Sequence, residues 1–151
     1  MQSNKKNRLV VDVNIWISSL LTPKFHIRTR VFFKSDNLLV VSKALFDEFE
    51  DTVRKPHLAR QIDRTNYEGL VSLLRADAEL VDVHSEVSVC RDPKDNYLLA
   101  LAKDGNADYL ITGDSGIQIL KEFEKTKIIS LKDFEDLVEQ WTQRNEQCKP
   151  I

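Results

Sequence analysis

The sequence predicts an α/β protein: a three-layer α/β/α sandwich around a mostly parallel central sheet. Two observations carry this. Short uninterrupted apolar runs, such as Leu9-Val10-Val11 and Leu38 to Val41, read as strands buried on both faces. These runs alternate with stretches whose apolar residues recur at helical spacing, the pattern of helices packed over a parallel sheet.

The elements follow in order. Arg8 to Val11 is the first strand. An amphipathic helix from Val13 to Leu21 comes next and is closed by Pro23, and a second helix runs from Phe25 to Lys34. Leu38 to Val41 is the second strand. Ser42 stands as the N-cap of a helix that carries Leu45, Phe49 and Val53 at i, i+4 and i+8, and Pro56 stops it. Thr65 to Ala76 is helical by the spacing of Leu70, Leu73 and Leu74, and Leu80 to Val83 is a strand at the sheet edge. Asp92-Pro93 opens a helix through Lys103, and Ala107 to Ile111 is a strand. Ser115 to Phe123 is a helix and Lys127 to Ile129 a strand. The last helix runs from Ser130 to Trp141, and its Ser-x-x-Asp start resembles a capping box. The order is β-α-α-β-α-α-β-α-β-α-β-α.

A chain of 151 residues with 42% apolar content fits one domain spanning residues 1–151, with flexible ends at about 1–6 and 143–151. The formal charge of −2, from 22 basic and 24 acidic residues, gives no bulk argument for nucleic-acid binding; only a local basic patch would. Cys90 and Cys148 match neither a disulfide framework nor a zinc spacing and are expected as reduced thiols. The polar, basic start has no apolar core of a signal peptide, and no apolar run approaches membrane-spanning length. A soluble, cytoplasmic protein with no membrane partner is the expectation.

Four acids, Asp12, Glu48, Asp95 and Asp114, lie far apart in the chain, and three of them stand where an apolar strand or helix stripe begins or ends. Burying an unpaired carboxylate is costly, so a cation or dense hydrogen bonding should compensate them. Asp12 follows Leu9-Val10-Val11 with Asn14 two residues on; an N-cap explains either, but not well both. Asp95 shares a stripe with Leu98, Leu99 and Ala102, so capping explains Asp92 better than Asp95. Asp114 ends Tyr109-Leu110-Ile111-Thr112-Gly113, where Gly113 permits a tight turn and Thr112 offers a hydroxyl; an N-cap explains it equally well. In the middle helix Glu48 and Glu50 lie on opposite borders of the apolar stripe, with Asp47 and Asp51 outward. Periodicity does not choose between the glutamates.

Four segments carry a family resemblance. They are Val10-Val11-Asp12-Val13-Asn14-Ile15-Trp16, the run Val41 to Glu50, the run Asp92 to Ala102, and Ala107 to Asp114. Together they resemble a PIN domain, specifically the group containing toxin components of toxin-antitoxin systems, relatives of the VapC toxins. The resemblance implies a Mg²⁺- or Mn²⁺-dependent ribonuclease site at Asp12, Glu48, Asp95 and Asp114, and so selects Glu48. It implies polar support from Asn14, Ser42 and Thr112, and Asp92 as an accessory acid. Such domains often carry another acid two positions after the last one, where this chain has Gly116, which implies one firmly held ion. An RNA substrate, a cognate antitoxin and a homodimer are the partners it implies.

Clustered carboxylates suit a hard cation that keeps several waters, so no nucleophilic side chain is required. His26 and His57 lie in basic surface stretches and His84 follows an edge strand, so the histidines form no ligand motif. Lys24, His26, Arg28 and Arg30 cluster after the first helix, Lys43 precedes Glu48, and Arg91 and Lys94 flank Asp92. Of these, Lys24, Arg28, Arg30, Lys43, Arg91 and Lys94 are the candidates to track an RNA backbone, although each alone is what a solvated surface carries. Trp16, Phe32 and Phe33 fit the core better than a stacking platform. Two other classes fit parts of the pattern. One is a catalytically silent PIN-like module that binds RNA or protein. The other is a phosphotransfer domain of the haloacid-dehalogenase type, which would want an acid where Asn14 stands.

Overall fold

The structure, a computed structural model, describes residues 5–147. Its sheet has six strands: β1 (Asn7–Val11), β2 (Asn37–Val41), β3 (Glu79–Leu80), β4 (Tyr109–Ile111), β5 (Glu122–Phe123) and β6 (Thr126–Ile129). Their order is β3-β2-β1-β4-β6-β5, and every pair is parallel except β5 with β6. The helices are α1 (Val13–Leu20), α2 (Phe25–Phe32), α3 (Lys43–Val53), α4 (Pro56–Ala59), α5 (Arg64–Asp77), α6 (Asn96–Asp104), α7 (Ser115–Gln118) and α8 (Leu131–Gln147). They flank the sheet in the expected three-layer α/β/α arrangement.

The central strands are apolar because both of their faces are covered. Leu9, Val10 and Val11 of β1 and Leu110 and Ile111 of β4 are buried, as are Leu98, Leu99, Leu101 and Ala102 of α6. Trp16, Phe32 and Phe134 join α1, α2 and α8 in one aromatic cluster, with ring centroids 4.9 Å and 5.1 Å apart along it. Phe33 packs against the same core, so these aromatics are structural, as expected.

Three expectations need correction. The helix expected from Ser115 to Phe123 ends at Gln118, because the chain passes into left-handed backbone at Lys121 (φ 62°) and again at Glu124 (φ 51°). Those two reversals make β5 and a two-residue hairpin into β6, an antiparallel edge on a parallel sheet. Pro56 lies just past the end of α3, as expected, and it also opens the single turn α4, where its missing N–H costs nothing. The strand expected over Leu80 to Val83 pairs only at Glu79–Leu80. Finally, α8 continues to Gln147 rather than stopping at Trp141, because the polar tail contains good helix formers such as Gln and Arg. Residues 1–4 and 148–151, with Cys148, lie outside the described residues.

Candidate acidic site at the sheet switch point

Strands β2 and β3 lie on one side of β1, and β4, β6 and β5 on the other. Ligands of α/β sheets bind outside the carboxyl ends of the strands at such a reversal. Asp12 follows β1 there, and Thr112, Gly113 and Asp114 follow the adjacent β4. The Asp12 N–H donates to the Ile111 carbonyl at 2.9 Å, which locks the two strand ends together.

A cleft of about 500 Å³ opens at this point. Asp12, Val13 and Asn14 form one side; Ala44, Asp47, Glu48 and Asp51 of α3 form another; Asp92, Lys94, Asp95 and Tyr97 close it. The α3 residues stand at i, i+3, i+4 and i+7, so one helix face supplies them all. Glu50 lies elsewhere, beside Arg54, with which it forms an i,i+4 ion pair, and it lines a different cavity. Asp47 and Asp51, expected to point outward, therefore face the cleft: periodicity locates the face opposite the core, and the cleft is solvated.

Asp12 is 5% exposed. Its Oδ2 accepts a 2.7 Å hydrogen bond from the Thr112 hydroxyl and its Oδ1 a longer one, 3.3 Å, from the Asn14 N–H. Burial pushes its carboxyl above the ordinary range; those hydrogen bonds oppose the rise, and the nearby Asp114 and Glu48 carboxylates add to it. Asp95 ends a 3₁₀ turn, Pro93–Asp95, and makes no capping hydrogen bond to α6, whereas Asp92 caps that turn by accepting from the Lys94 N–H at 3.0 Å. Burial, then the carboxylates of Asp114, Asp92 and Asp12, push Asp95 up to about 6. Asp114 caps α7, its Oδ1 accepting from the Gly116 N–H at 2.7 Å, and its own N–H donates to the Thr112 hydroxyl at 3.1 Å.

The supporting residues divide. Thr112 is buried and joins Asp12 to Asp114. Asn14 is exposed at the cleft mouth. Ser42 is buried and accepts from the Leu45 N–H at 3.2 Å, so the hydrogen bond it accepts caps α3 and does not go to an acid of the site.

The basic candidates divide as well. Lys94 lines the cleft, and Lys43 pairs with Asp47 at its rim, at 2.8 Å. Lys24 and Arg28 line another groove, between α2 and the start of α8, that shares no residue with the cleft. Arg30 and Arg91 are exposed. The ion pairs among the described residues leave Asp12, Glu48, Asp95 and Asp114 out.

Sequence reasoning missed two neighbours. Burial, reinforced by Asp12, Glu48 and Asp95, pushes the Tyr97 phenol far above its usual range, which puts the ring among the acids. Burial also raises the Cys90 thiol, with Asp95, Asp114 and Asp92 adding to it, so this free cysteine stays protonated at neutral pH. Tyr97 was findable: it is two residues beyond Asp95 on the same helix start. As the side chains stand, no group of three or more His, Cys, Asp or Glu among the described residues surrounds a single point where it could hold a metal ion.

Fold and cleft together define an α/β domain whose acidic site lies at the switch point between β1 and β4. A family model described as PIN domain matches residues 8–116, a stretch that takes in Asp12, Glu48, Asp95 and Asp114. The chain belongs to the PIN domain family, whose members are in general nucleases. A search of curated proteins found no match. No helix of the described residues is long and apolar enough to cross a membrane.

Proposed function

We propose that this PIN domain is a metal-dependent ribonuclease that hydrolyses phosphodiester bonds of RNA at the cleft between β1, α3 and α6. The observation that carries the reading is the gathering of Asp12, Glu48 and Asp95 on one cleft, with Asp114 beside Asp12 and Asp95 and, among the described residues, no ion pair to any of the four. Burial and neighbouring carboxylates raise Asp12 and Asp95, which marks a concentration of negative charge that a cation would relieve.

The donors fit Mg²⁺ or Mn²⁺, because hard cations take carboxylate oxygens and keep several waters. Asp12, Glu48, Asp95 and Asp114 would hold the ion. Glu48 is exposed and lines the cleft from α3. When bound, such an ion supplies Lewis-acid polarisation of the phosphate and a more acidic attacking water. The chain's own residues do the positioning: Thr112 fixes the Asp12 carboxylate, Lys94 offers a cation at the cleft wall, and Tyr97 closes one side. Gly116 stands where a further acid is often found in the resembling domains, and a Cβ there would meet Asp114 Oδ1 at 3.1 Å. One firmly held ion is the expectation, with any second brought by substrate.

The test is cleavage of single-stranded RNA with Mg²⁺ or Mn²⁺ by wild type and by the Asp12→Asn and Asp95→Asn variants. We expect each variant to lose about 100-fold or more in kcat/KM. Wild type inactive with both metals, or variants as fast as wild type, would contradict the reading. The second reading, a silent PIN-like module that binds RNA or protein, is favoured by Gly116 and by the spread of the acids. Retained RNA binding without cleavage would support it. On the sequence resemblance we also propose a toxin role with a cognate antitoxin and a homodimeric state. Growth arrest on expression, relieved by the product of the neighbouring gene, tests the first, and sedimentation the second.

A further inference from the structure

A second cavity, about 300 Å³, adjoins the acidic cleft and shares Ala44 and Tyr97 with it. Val83 and Val87 of the extended segment after β3 line it, together with Ala100 and Tyr97 of α6 and Ala44 of α3. That extended segment starts with the Val81 N–H donating to the Val41 carbonyl of β2 at 2.8 Å, and beyond it the segment is tied down at two points. The Asp104 carboxylate accepts the N–H groups of His84 at 2.6 Å and Ser85 at 2.8 Å and also the Ser85 hydroxyl, and Asn96 Oδ1 accepts the Cys90 N–H at 2.9 Å. This lining is therefore part of the fold.

We propose that this cavity receives one unpaired nucleobase of the RNA strand whose phosphodiester lies in the acidic cleft, with Tyr97 as the partition between the two. The inference rests on the nuclease reading above and names where substrate selection is made. Three features point to a base. Among the described residues no Lys or Arg lines the cavity and Glu86 does, which disfavours a phosphate there. Apolar side chains contributed by three separate elements suit a planar ring. Its volume lies at the low end of the range for small-ligand pockets, about 300–1,000 Å³, enough for a single base. Asn96, its Oδ1 already used, keeps its amide nitrogen as a donor, and the Glu86 carboxylate is an acceptor, so the base edge meets both kinds of partner. Splayed single-stranded bases are recognised in this way.

Abasic scanning tests it. Wild type, Val87→Trp and Glu86→Ala are assayed with Mn²⁺ on a short single-stranded RNA and on versions abasic at one position each. For wild type we expect one abasic position, next to the scissile bond, to raise KM about tenfold with kcat little changed. In Val87→Trp, which fills the cavity, that penalty should vanish because the intact RNA already binds as poorly as the abasic one. Glu86→Ala, at an exposed position that leaves the core intact, should weaken intact RNA severalfold and leave the abasic RNA unchanged. Wild type that cleaves intact RNA but shows no sensitive position, or variants that keep the full penalty, would overturn the cavity assignment alone. No cleavage of intact RNA by wild type would overturn the nuclease reading, and this inference with it.

Discussion

The Thr112 hydroxyl donates a 2.7 Å hydrogen bond to Oδ2 of Asp12, joining the ends of β4 and β1 across 100 positions of sequence. The same oxygen accepts the Asp114 N–H, so one buried hydroxyl orients two acids of the site. Thr112→Val keeps the shape and removes both contacts. A hydrogen bond to a charged group is worth about 1.5–3 kcal/mol, and groups that orient ligands typically cost about 10–100-fold when removed. We predict a loss of that order in kcat/KM for Thr112→Val and near-normal activity for Thr112→Ser, measured on RNA. Wild-type activity in the valine variant would remove Thr112 from the account.

Asp95 gives the metal-free protein a pH signature. Its carboxyl ordinarily titrates at 3.8 and in the fold at about 6, so the folded state binds the proton more tightly. Stability from this group is present below pH 4 and is lost as pH rises through 6. Because the side chain is partly exposed, the effect is of the order of 1 kcal/mol. Asp95→Asn should therefore melt higher than wild type at pH 7 without metal, and the difference should close near pH 4. In wild type, Mn²⁺ affinity should climb as pH rises towards 6 and then level off, with proton release detectable by calorimetry below pH 6.

Asp104 works in the opposite direction. Its three hydrogen bonds from His84 and Ser85 hold the carboxyl down at about 2, against an ordinary 3.8. Its contribution is thus present above pH 4 and lost as pH falls from there towards 2. Asp104→Asn should destabilise the protein at pH 7 by about 1 kcal/mol. It should also speed proteolysis after position 83, where the extended segment loses its anchor. Unchanged cleavage kinetics in limited proteolysis would contradict this.

Two glycines should respond with opposite signs. At Gly105 a Cβ would come 2.5 Å from Val40 Cγ1 and 2.9 Å from the Leu101 carbonyl oxygen, and the backbone oxygen has little room to give. Gly105→Ala should cost about 1–3 kcal/mol in urea unfolding. Gly69, exposed within α5, has nothing within 4 Å of the same position, and Gly69→Ala should stabilise by about 0.5–1 kcal/mol.

Much of this site was legible because strand ends are. An apolar run that stops at an acid marks Asp12, and an acid on an apolar stripe marks Asp95; Asp114, two residues past Thr112 and the N-cap of α7, stays open in the sequence between cap and site. Glu48 was not separable from Glu50, because helical periodicity reports which residues meet the core and not which solvent face overlooks a cleft. That is also why Asp47 and Asp51 were misplaced. The helix drawn through Phe123 failed for a different reason: Ile117, Leu120 and Phe123 keep helical spacing, and nothing in Lys121 or Glu124 announces left-handed backbone. The cavity under Val83 and Val87 depends on Asp104 reaching Ser85, 19 positions away, a contact that spacing does not encode.

The most direct measurement is a crystal structure with Mn²⁺, located by its anomalous scattering. One ion is expected in the cleft, held by carboxylate oxygens of Asp12 and Asp95 with Glu48 or Asp114 completing the protein ligands. A cleft without an ion at millimolar Mn²⁺, or an ion held by other residues, would contradict it.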